Sequence, residues 1–304
     1  MTVTVIVPTY KPDGKFLQLM NMLKRQTCKA DQILIMNTEE RYWKNSFMEG
    51  VDNWEVHHLS RTAFDHGKTR GEGAKFADSE ILVYFTQDAV PVDEKLLENL
   101  LEPFRNPQVG AAYARQLPAD DCKIIERYTR SFNYPDTSRI KTKKDIPELG
   151  IKTYFCSNVC AAYRRSVYEE MGGFVTRTIF NEDMIMASQM IQAGYGVAYA
   201  AEARVVHSHN YGYMQQLRRN FDLAVSQEDH PEIFASISSE SEGIRLVKST
   251  AVYLIKQGKP WLIPDLILSS GFKYLGYKAG RSYKRLPSSW VRRLTMNPAY
   301  WEKR

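Results

Sequence analysis

The chain has 304 residues and a formal net charge of +6, from 41 Lys and Arg against 35 Asp and Glu. That length can bury a sizeable core, as one large domain or one domain with an appendage. The four cysteines show no paired metal-binding spacing, which favours buried free thiols in a reducing compartment. Neither a secretory leader nor a run of 18 apolar residues is found, so we expect a soluble or peripheral protein.

The charge is divided unevenly along the chain. Residues 243–304 carry 13 Lys and Arg against two acids, a net charge of +11. Residues 1–242 carry 28 against 33, a net charge of −5. An acidic body followed by a basic tail is typical of a protein held at an anionic surface.

The amino-terminal pattern predicts a strand, a helix and a second strand. Residues 3–7 are apolar or β-branched and are stopped by Pro8, apolar side chains then recur at helical spacing over 16–23, and residues 32–36 form a second apolar run. Such a βαβ unit is the opening of a doubly wound nucleotide-binding half. No Gly-x-Gly-x-x-Gly follows the first strand, which argues against a dinucleotide fold.

A later strand places a carboxylate where a ligand is expected. Residues 81–85 are all apolar or aromatic, which predicts a strand buried on both faces. Gln87 and Asp88 follow it, and Pro91 prevents the strand from continuing in the sheet interior. Open α/β sheets bind ligands just beyond the carboxyl ends of their strands. The alternative is that Gln87 and Asp88 cap a helix that begins near Asp93.

The segment before that strand is suited to an anion. Residues 66–77 predict a helix that is opened by Gly67 and carries Lys68 and Arg70 at its amino-terminal end. Cations there oppose the helix dipole and cost stability unless an anion lies nearby. The amino-terminus of a helix is also a natural phosphate site. A phosphate site beside a carboxylate at a strand end is what a metal–diphosphate complex requires.

The remaining elements follow in order. We expect a helix over 96–104, a strand over 109–114, and an exposed, partly helical excursion over 117–151 that is either a mobile flap or a solvated loop. Residues 154–163 predict a strand broken at Ser157 and Asn158, followed by a helix closed by two glycines. A helix then begins at Glu182 and Asp183, and residues 204–211 predict a final strand with two histidines on one face.

Two of these motifs resemble a known family. His-Gly-Lys-Thr-Arg at 66–70, a hydrophobic strand, and Thr-Gln-Asp-Ala-Val-Pro at 86–91 resemble the rhamnosyltransferase branch of the family 2 glycosyltransferases, over roughly residues 3–225. The resemblance implies an α/β fold of the GT-A type (nucleotide-diphospho-sugar transferase, Rossmann-like), with a mixed sheet flanked by helices. We therefore expect a catalytic domain over 1–225, with a nucleotide-binding half at about 1–115 and an acceptor-side half at about 116–225. A basic, amphipathic, membrane-associating helical region over 226–304 is expected to follow.

The resemblance also implies roles for single residues. Asp88 stands in the position of the family's Asp-x-Asp-type metal motif and is expected to bind Mn²⁺ or Mg²⁺. His209, favoured over His207, is expected as a second ligand, and the alternative is a structural histidine pair. Asp183 is expected to be the general base, with Glu182 as its substitute, and an ordinary helix start is the alternative.

Further residues are expected to contact the two substrates. On the donor side the resemblance and the helix amino-terminus together predict a set of ten: Pro8, Thr9, Tyr10, Asn37, Thr38, His66, Lys68, Arg70, Gln87 and Asp88. Many relatives carry Asp in place of Asn37, and an Asn can still pair with the imide of a pyrimidine. Asn158, Arg218 and Arg219 are expected on the acceptor side or at the donor phosphates. Their structural alternatives are bracing of a bend and surface salt bridges.

These expectations combine into one functional hypothesis. It is an inverting, metal-dependent transfer of L-rhamnose from dTDP-rhamnose to a lipid-linked saccharide, for cell-wall or capsular polysaccharide; the rhamnose depends on the resemblance alone. The alternatives are a family 2 enzyme that uses another sugar nucleotide such as a UDP-sugar, a nucleotidyltransferase, and a non-catalytic nucleotide-sugar-binding subunit.

The basic tail predicts where the protein acts. Its interleaved cations and aromatic residues favour the anionic inner face of the cell membrane, in the cytoplasm. Nucleic-acid binding and formation of a homodimer are the rival interpretations of the tail.

Overall fold

The computed structural model describes residues 1–235 and 240–302, and the chain divides into two compact units. The first unit contains residues 1–119, 134–176 and 182–207. The second contains residues 120–133, 177–181 and 208–304. Within the predicted tail region, residues 236–239 and 303–304 lie outside the described residues.

The first unit is built on a mixed sheet. Within the described part of the chain it has nine strands: β1 (Val3–Tyr10), β2 (Gln32–Thr38), β3 (Trp54–Leu59), β4 (Ile81–Phe85), β5 (Val90–Pro91), β6 (Val109–Leu117), β7 (Arg139–Lys141), β8 (Cys160–Arg164) and β9 (Gly196–Val206). Their order is β3-β2-β1-β4-β8-β6-β9-β5, with β7 paired to β9. Strands β3, β2, β1 and β4 are parallel, whereas β8 is antiparallel to both of its neighbours.

The helices lie in both units. In chain order they are α1 (Gly14–Arg25), α2 (His66–Phe76), α3 (Leu96–Leu101), α4 (Ile124–Asn133), α5 (Ile146–Leu149), α6 (Arg165–Glu170), α7 (Glu182–Gln192), α8 (Tyr213–Asp229), α9 (Pro231–Phe234), α10 (Glu240–Lys256), α11 (Ile263–Arg281), α12 (Ser288–Leu294) and α13 (Pro298–Glu302). Helix α1 forms where the apolar spacing predicted it, and the four residues at that spacing are all buried: Phe16, Leu19, Met20 and Leu23. None of the helices within 1–235 and 240–302 is long and apolar enough to cross a bilayer.

The predicted final strand over 204–211 is wrong in position. Strand β9 begins at Gly196 and ends at Val206, so His207 and His209 both follow the strand. Its first half reads Gly-Val-Ala-Tyr-Ala-Ala, which lacks the alternation by which a strand is recognised in sequence. The break predicted at Ser157 and Asn158 is present, but regular pairing begins only at Cys160, with β8.

The excursion predicted over 117–151 is only partly a solvated segment. Its strand β7 pairs with β9, and Lys141 on that strand is buried. The Lys141 ammonium donates to the carbonyl oxygens of Lys152 and Phe155 and lies 4.8 Å from the centre of the Tyr113 ring. Burial lowers the pKa of Lys141 to about 7. This part of the segment is therefore fixed to the sheet edge.

The second unit depends on close packing of α11 against α8. A Cβ on Gly276 would lie 2.1 Å from the carbonyl oxygen of Leu217, and one on Gly280 would lie 2.4 Å from that of Phe221. Any larger residue would therefore force the two backbones apart. The buried Asp222 of α8 accepts a hydrogen bond of 2.6 Å from the Thr295 hydroxyl, which attaches the last residues of the chain to the same helix.

Candidate active site

The candidate site of the first unit is organised around the three residues 157–159, which precede β8. The backbone N–H of Asn158 donates to Oδ2 of Asp183 at 3.0 Å. The carbonyl oxygen of Val159 accepts from the backbone N–H of Thr86, also at 3.0 Å. One short segment thus holds both the first turn of α7 and the Thr-Gln-Asp turn that contains Asp88.

Asn158 itself is buried, and its side chain is fully engaged within the protein. Its amide nitrogen donates to Oε1 of Glu182 at 3.3 Å, and its amide oxygen accepts from the Tyr163 hydroxyl at 2.8 Å. A side chain with these partners braces the bend, which was the structural alternative for Asn158. Its predicted contact with an acceptor stays a prediction.

Glu182 and Asp183 are adjacent but have different environments. Glu182 forms a buried ion pair with Arg70, with 3.1 Å between Oε1 and Nη1 and with side chains only 8% and 6% exposed. Asp183 is partly exposed as a residue, although its carboxyl group is enclosed by protein. Its Oδ1 accepts from the backbone N–H of Met184 at 2.8 Å. Glu182 is therefore buried and paired, whereas Asp183 is partly exposed as a residue.

This difference separates the two pKa values. Burial together with the neighbouring Glu182 charge raises the pKa of Asp183 to about 7. Burial acts in the same direction on Glu182, but the charges of Arg70 and His66 outweigh it, and the pKa of Glu182 lies below its ordinary value. Adjacent carboxyl groups whose pKa values are pushed apart can take different chemical roles. Asp183 is thus the group that can exchange a proton near neutral pH.

Asp88 and His207 form a pair of possible metal ligands in the first unit. Oδ1 of Asp88 lies 3.6 Å from Nε2 of His207. His209 belongs to the second unit, and its role as a metal ligand stays a prediction. Nδ1 of His207 is 3.0 Å from Oε1 of Gln116, and the Gln116 amide donates in turn to the Ser157 hydroxyl at 2.9 Å. Because a glutamine oxygen can only accept, Nδ1 carries the hydrogen, and in the neutral imidazole Nε2 keeps the lone pair that a metal ligand needs. A carboxylate beside an imidazole suits Mn²⁺ better than Mg²⁺.

The predicted donor residues lie at the carboxyl ends of β1 and β2. The backbone N–H of Tyr10 donates to Oε1 of Gln87 at 2.8 Å, and Gln87 donates back to the Tyr10 carbonyl at 3.1 Å. Thr9 is buried and its hydroxyl donates to Oδ1 of Asn37 at 3.1 Å, while the side-chain amide nitrogen of Asn37 is 3.0 Å from Nδ1 of His58. Asn37 and Thr38 are both buried at the carboxyl end of β2, and their contact with a nucleotide base stays a prediction.

The structure adds an aromatic and cationic cluster that the sequence did not indicate. The Tyr10 and Tyr42 rings meet edge to face with centroids 5.7 Å apart, and the Lys11 ammonium lies within 5.4 Å of both. Arg61 lies over Tyr10 and Arg41 over Tyr42. Exposed rings with cations suit the base and phosphates of a nucleotide. These five residues come from three separate segments of the chain, so no local motif in the sequence joins them.

The predicted phosphate corner at α2 is partly occupied by the protein itself. Asp65 caps the helix and accepts from the backbone N–H of Lys68 at 2.8 Å. The Lys68 side chain is exposed, whereas that of Arg70 is directed to Glu182. Gly67 is required for packing, because a Cβ there would lie 1.9 Å from the carbonyl oxygen of Val175. Lys68 is thus better placed than Arg70 to meet an anion from solvent.

The two predicted arginines of α8 belong to the second unit. Arg218 is exposed. The guanidinium of Arg219 lies 4.7 Å from the Phe180 ring centre and 5.8 Å from that of Tyr211. Arg219 is therefore held by aromatic rings of its own unit, and the roles predicted for both residues stay predictions.

Comparison with known proteins identifies the family. The chain matches the sequence model of Glycosyl transferase family 2 over residues 4–172. It is 39% identical over 303 residues to the O-antigen chain rhamnosyltransferase RfbN of Salmonella typhimurium, covering 99% of this chain and 96% of that protein. It is 40% identical over 301 residues to the O-antigen chain rhamnosyltransferase WbaN of Salmonella anatum, covering 98% and 95%.

Solved structures show the same fold at low identity. A mannosyltransferase from Pyrobaculum calidifontis, PcManGT in complex with GDP-Man and Mn²⁺, has a TM-score of 0.57 and 17% identity, covering 99% of this chain and 88% of that one. TarS 1-349 from S. aureus, in complex with UDP-GlcNAc, has a TM-score of 0.53 and 14% identity, covering 94% and 92%.

The fold is therefore the predicted GT-A fold, a mixed sheet flanked by helices and followed by a helical tail. The chain belongs to the family 2 glycosyltransferases and is a glycosyltransferase. The predicted family is confirmed, and the two relatives of about 40% identity carry the rhamnosyltransferase name that the motifs indicated.

The bracing role of Asn158 predicts a measurable coupling. Asn158→Ala should lower the free energy of unfolding by roughly 2–3 kcal/mol, because it leaves the buried Tyr163 hydroxyl and Glu182 with fewer partners. In a double-mutant cycle with Tyr163→Phe, measured by urea unfolding, we expect a coupling of about 1 kcal/mol. Additive losses would mean that the Asn158–Tyr163 hydrogen bond does not support the fold.

Proposed function

We propose that this glycosyltransferase transfers L-rhamnose from dTDP-rhamnose to a lipid-linked saccharide in bacterial surface polysaccharide synthesis, with inversion at the anomeric carbon and with a divalent metal. The choice of sugar is supported by the 39% and 40% identity of the chain, over nearly its full length, to two proteins named O-antigen chain rhamnosyltransferases. The observation that carries the chemistry is Asp183 beside a buried ion pair: the residue is partly exposed, and burial with the Glu182 charge raises the pKa of its carboxyl group to about 7.

The donor side depends on the metal site predicted at Asp88. Asp88, His207 and His209 would hold Mn²⁺ or Mg²⁺, which when bound neutralises charge on the diphosphate of the sugar nucleotide. Gln116 keeps the His207 tautomer that presents Nε2. Lys68 adds a positive charge at the start of α2, and His66 lies in the same turn. The rings of Tyr10 and Tyr42 are suited to pack against the nucleoside.

The acceptor side depends on Asp183. Its ionised carboxylate takes the proton of the acceptor hydroxyl while that oxygen attacks the anomeric carbon of the sugar. The new carbon–oxygen bond forms as the bond from the anomeric carbon to the diphosphate oxygen breaks, so the nucleoside diphosphate leaves with the bonding electrons. Asn158 holds Asp183 through its backbone N–H, and Glu182 stays ionised and paired with Arg70.

We propose the following division of the chain. Residues 1–225 contain the donor and acceptor chemistry, with the nucleotide-binding half at about 1–115 and the acceptor-side half at about 116–225. Residues 226–304 carry the membrane contact. A lipid-linked acceptor would then be met at the inner face of the cell membrane, from the cytoplasm. Arg218 and Arg219 are proposed on the acceptor or diphosphate side.

The donor is tested by a screen. The protein is incubated with dTDP-rhamnose, UDP-glucose, UDP-GlcNAc or UDP-galactose, each with Mn²⁺ or Mg²⁺, and released nucleoside diphosphate is measured. We expect release from dTDP-rhamnose, loss of release with chelator, and loss in Asp88→Ala. Release from UDP-sugars alone would disprove the rhamnose assignment. Full binding of dTDP-rhamnose without any turnover would indicate the non-catalytic alternative.

The base is tested by pH dependence. Because Asp183 must be ionised to accept a proton, kcat/KM should rise as pH increases towards about 7 and level off above it. Asp183→Asn should lower kcat by about 10²–10⁴-fold. Glu182→Gln removes the charge that raises the pKa of Asp183, so the rising limb should move to lower pH by about one unit while activity is retained.

The exposed Glu49→Gln is the matched control for Glu182→Gln and should leave the pH profile unchanged. If Glu182→Gln lowered kcat by about 10²–10⁴-fold while Asp183→Asn stayed active, Glu182 would be the base instead.

A further inference from the structure

Two helices of the second unit expose a row of large apolar side chains. Eight such residues are at least 48% exposed, with Trp261 the most exposed at 67%: Ile244, Val252, Ile255, Trp261, Ile267, Leu268, Tyr274 and Leu275. They come from α10, from Trp261 in the connection, and from α11. We refer to these eight residues as the apolar ridge. Elsewhere in the described chain, exposed large apolar residues are spread over many elements, which is ordinary for a soluble surface.

The spacing shows that each helix contributes one continuous face. On α11 the exposed residues recur at positions 264, 267, 268, 271, 274, 275 and 278, and on α10 they lie at 243, 244, 245, 248, 252, 255 and 256. The α11 set, and positions 244, 248, 252, 255 and 256 of the α10 set, follow the three- and four-residue repeat of a helix surface. The opposite side of α11 contains the buried Leu266, Gly276 and Gly280 and packs on α8. The core-facing side of α11 is thus already buried against α8, and the residues of the ridge form a second, exposed apolar face.

The ridge is accompanied by positive charge. Four exposed lysines share the two helical faces or lie at their ends: Lys248, Lys256, Lys259 and Lys278. Residues 243–304 contain only two acids, and one of them, Asp265, accepts a hydrogen bond from the Tyr213 hydroxyl. A partner for this surface should therefore be apolar and negatively charged.

Several cations predicted to face the membrane are used inside the second unit instead. Arg281 and Lys284 both pair with Glu228, at 3.2 and 3.9 Å. Lys273 is partly buried, and burial lowers the pKa of its amine. The surface available to a partner is consequently the α10–α11 ridge rather than the whole basic tail.

We propose that the ridge on α10 and α11 docks on an anionic phospholipid surface, with the apolar side chains in the interfacial layer and the lysines at the headgroups. Tryptophan and tyrosine, here Trp261 and Tyr274, are the residue types that favour this layer. A second copy of the chain would bring the same lysines against one another, which disfavours the ridge as a dimer interface. Nucleic acid offers no apolar layer for Ile267, Leu268 and Leu275.

This inference rests on the membrane contact that the proposed function assigns to residues 226–304, and it can be tested apart from sugar transfer because lipid binding needs neither donor nor turnover. The full chain is sedimented with vesicles of phosphatidylcholine alone and with vesicles that also contain phosphatidylglycerol. We expect binding to the anionic vesicles, and at least a tenfold weaker binding to the neutral ones. Release of nucleoside diphosphate is measured on the same preparations, so failure of lipid binding and failure of transfer are separate results.

Two pairs of substitutions test the two parts of the surface. The pair Leu268→Glu and Leu275→Glu places negative charge on the apolar ridge. The pair Lys248→Glu and Lys256→Glu reverses the charge of two lysines beside it. Each pair should weaken vesicle binding about tenfold or more. Leu17→Glu, at an exposed leucine of α1, is the matched control and should bind as the unsubstituted protein does. Circular dichroism and urea midpoints check that all variants are folded.

Three outcomes would overturn the proposal. The first is absence of the full chain from the anionic vesicle pellet. The second is equal loss of binding in Leu17→Glu. The third is concentration-dependent dimerisation without lipid that Leu268→Glu with Leu275→Glu abolishes while vesicle binding is unchanged, since the ridge would then be an interface between copies.

Discussion

The hydrogen bond from the Asn158 backbone to Asp183 is the contact on which the candidate site depends. It fixes the first turn of α7 to the segment that precedes β8. The next residue of that segment, Val159, accepts from Thr86 and so fixes the turn that contains Asp88. The turn at Thr86 leaves the sheet at the end of β4, and α7 begins after the loop over 171–181, so neither is held by strand pairing of its own. Three residues between two elements therefore set the geometry of both carboxylates.

Burial of two adjacent acids is costly unless each has a distinct partner. Glu182 is compensated by Arg70, and Asp183 by backbone N–H groups and partial access to solvent. The remaining free-energy cost of ionising Asp183 in this buried position beside Glu182 raises its pKa towards 7, which is the range useful to a base. Two neighbouring acids thus differ in role because their surroundings differ. Glu182 forms a buried ion pair, and Asp183 has a pKa in the range of a base.

Local pattern in the sequence was sufficient for some features and insufficient for others. The β1–α1–β2 unit and the buried strand before Asp88 were predictable, because their apolar spacing is strong. The start of β9, the burial of Lys141 and the Arg70–Glu182 pair were not, because each depends on a distant partner. An arginine in the first turns of a helix suits a phosphate and a buried glutamate equally well, and sequence alone does not distinguish them.

We propose that the environment of Asp183, rather than its position in a motif, makes it the base. The decisive measurement is a carbon-13 NMR titration of the Asp183 carboxyl carbon in aspartate-labelled protein, with Asp183→Asn used to identify the signal. We expect a midpoint near pH 7, because burial and the Glu182 charge both raise the pKa of Asp183. A midpoint near pH 4, the ordinary value for an aspartate, would contradict it.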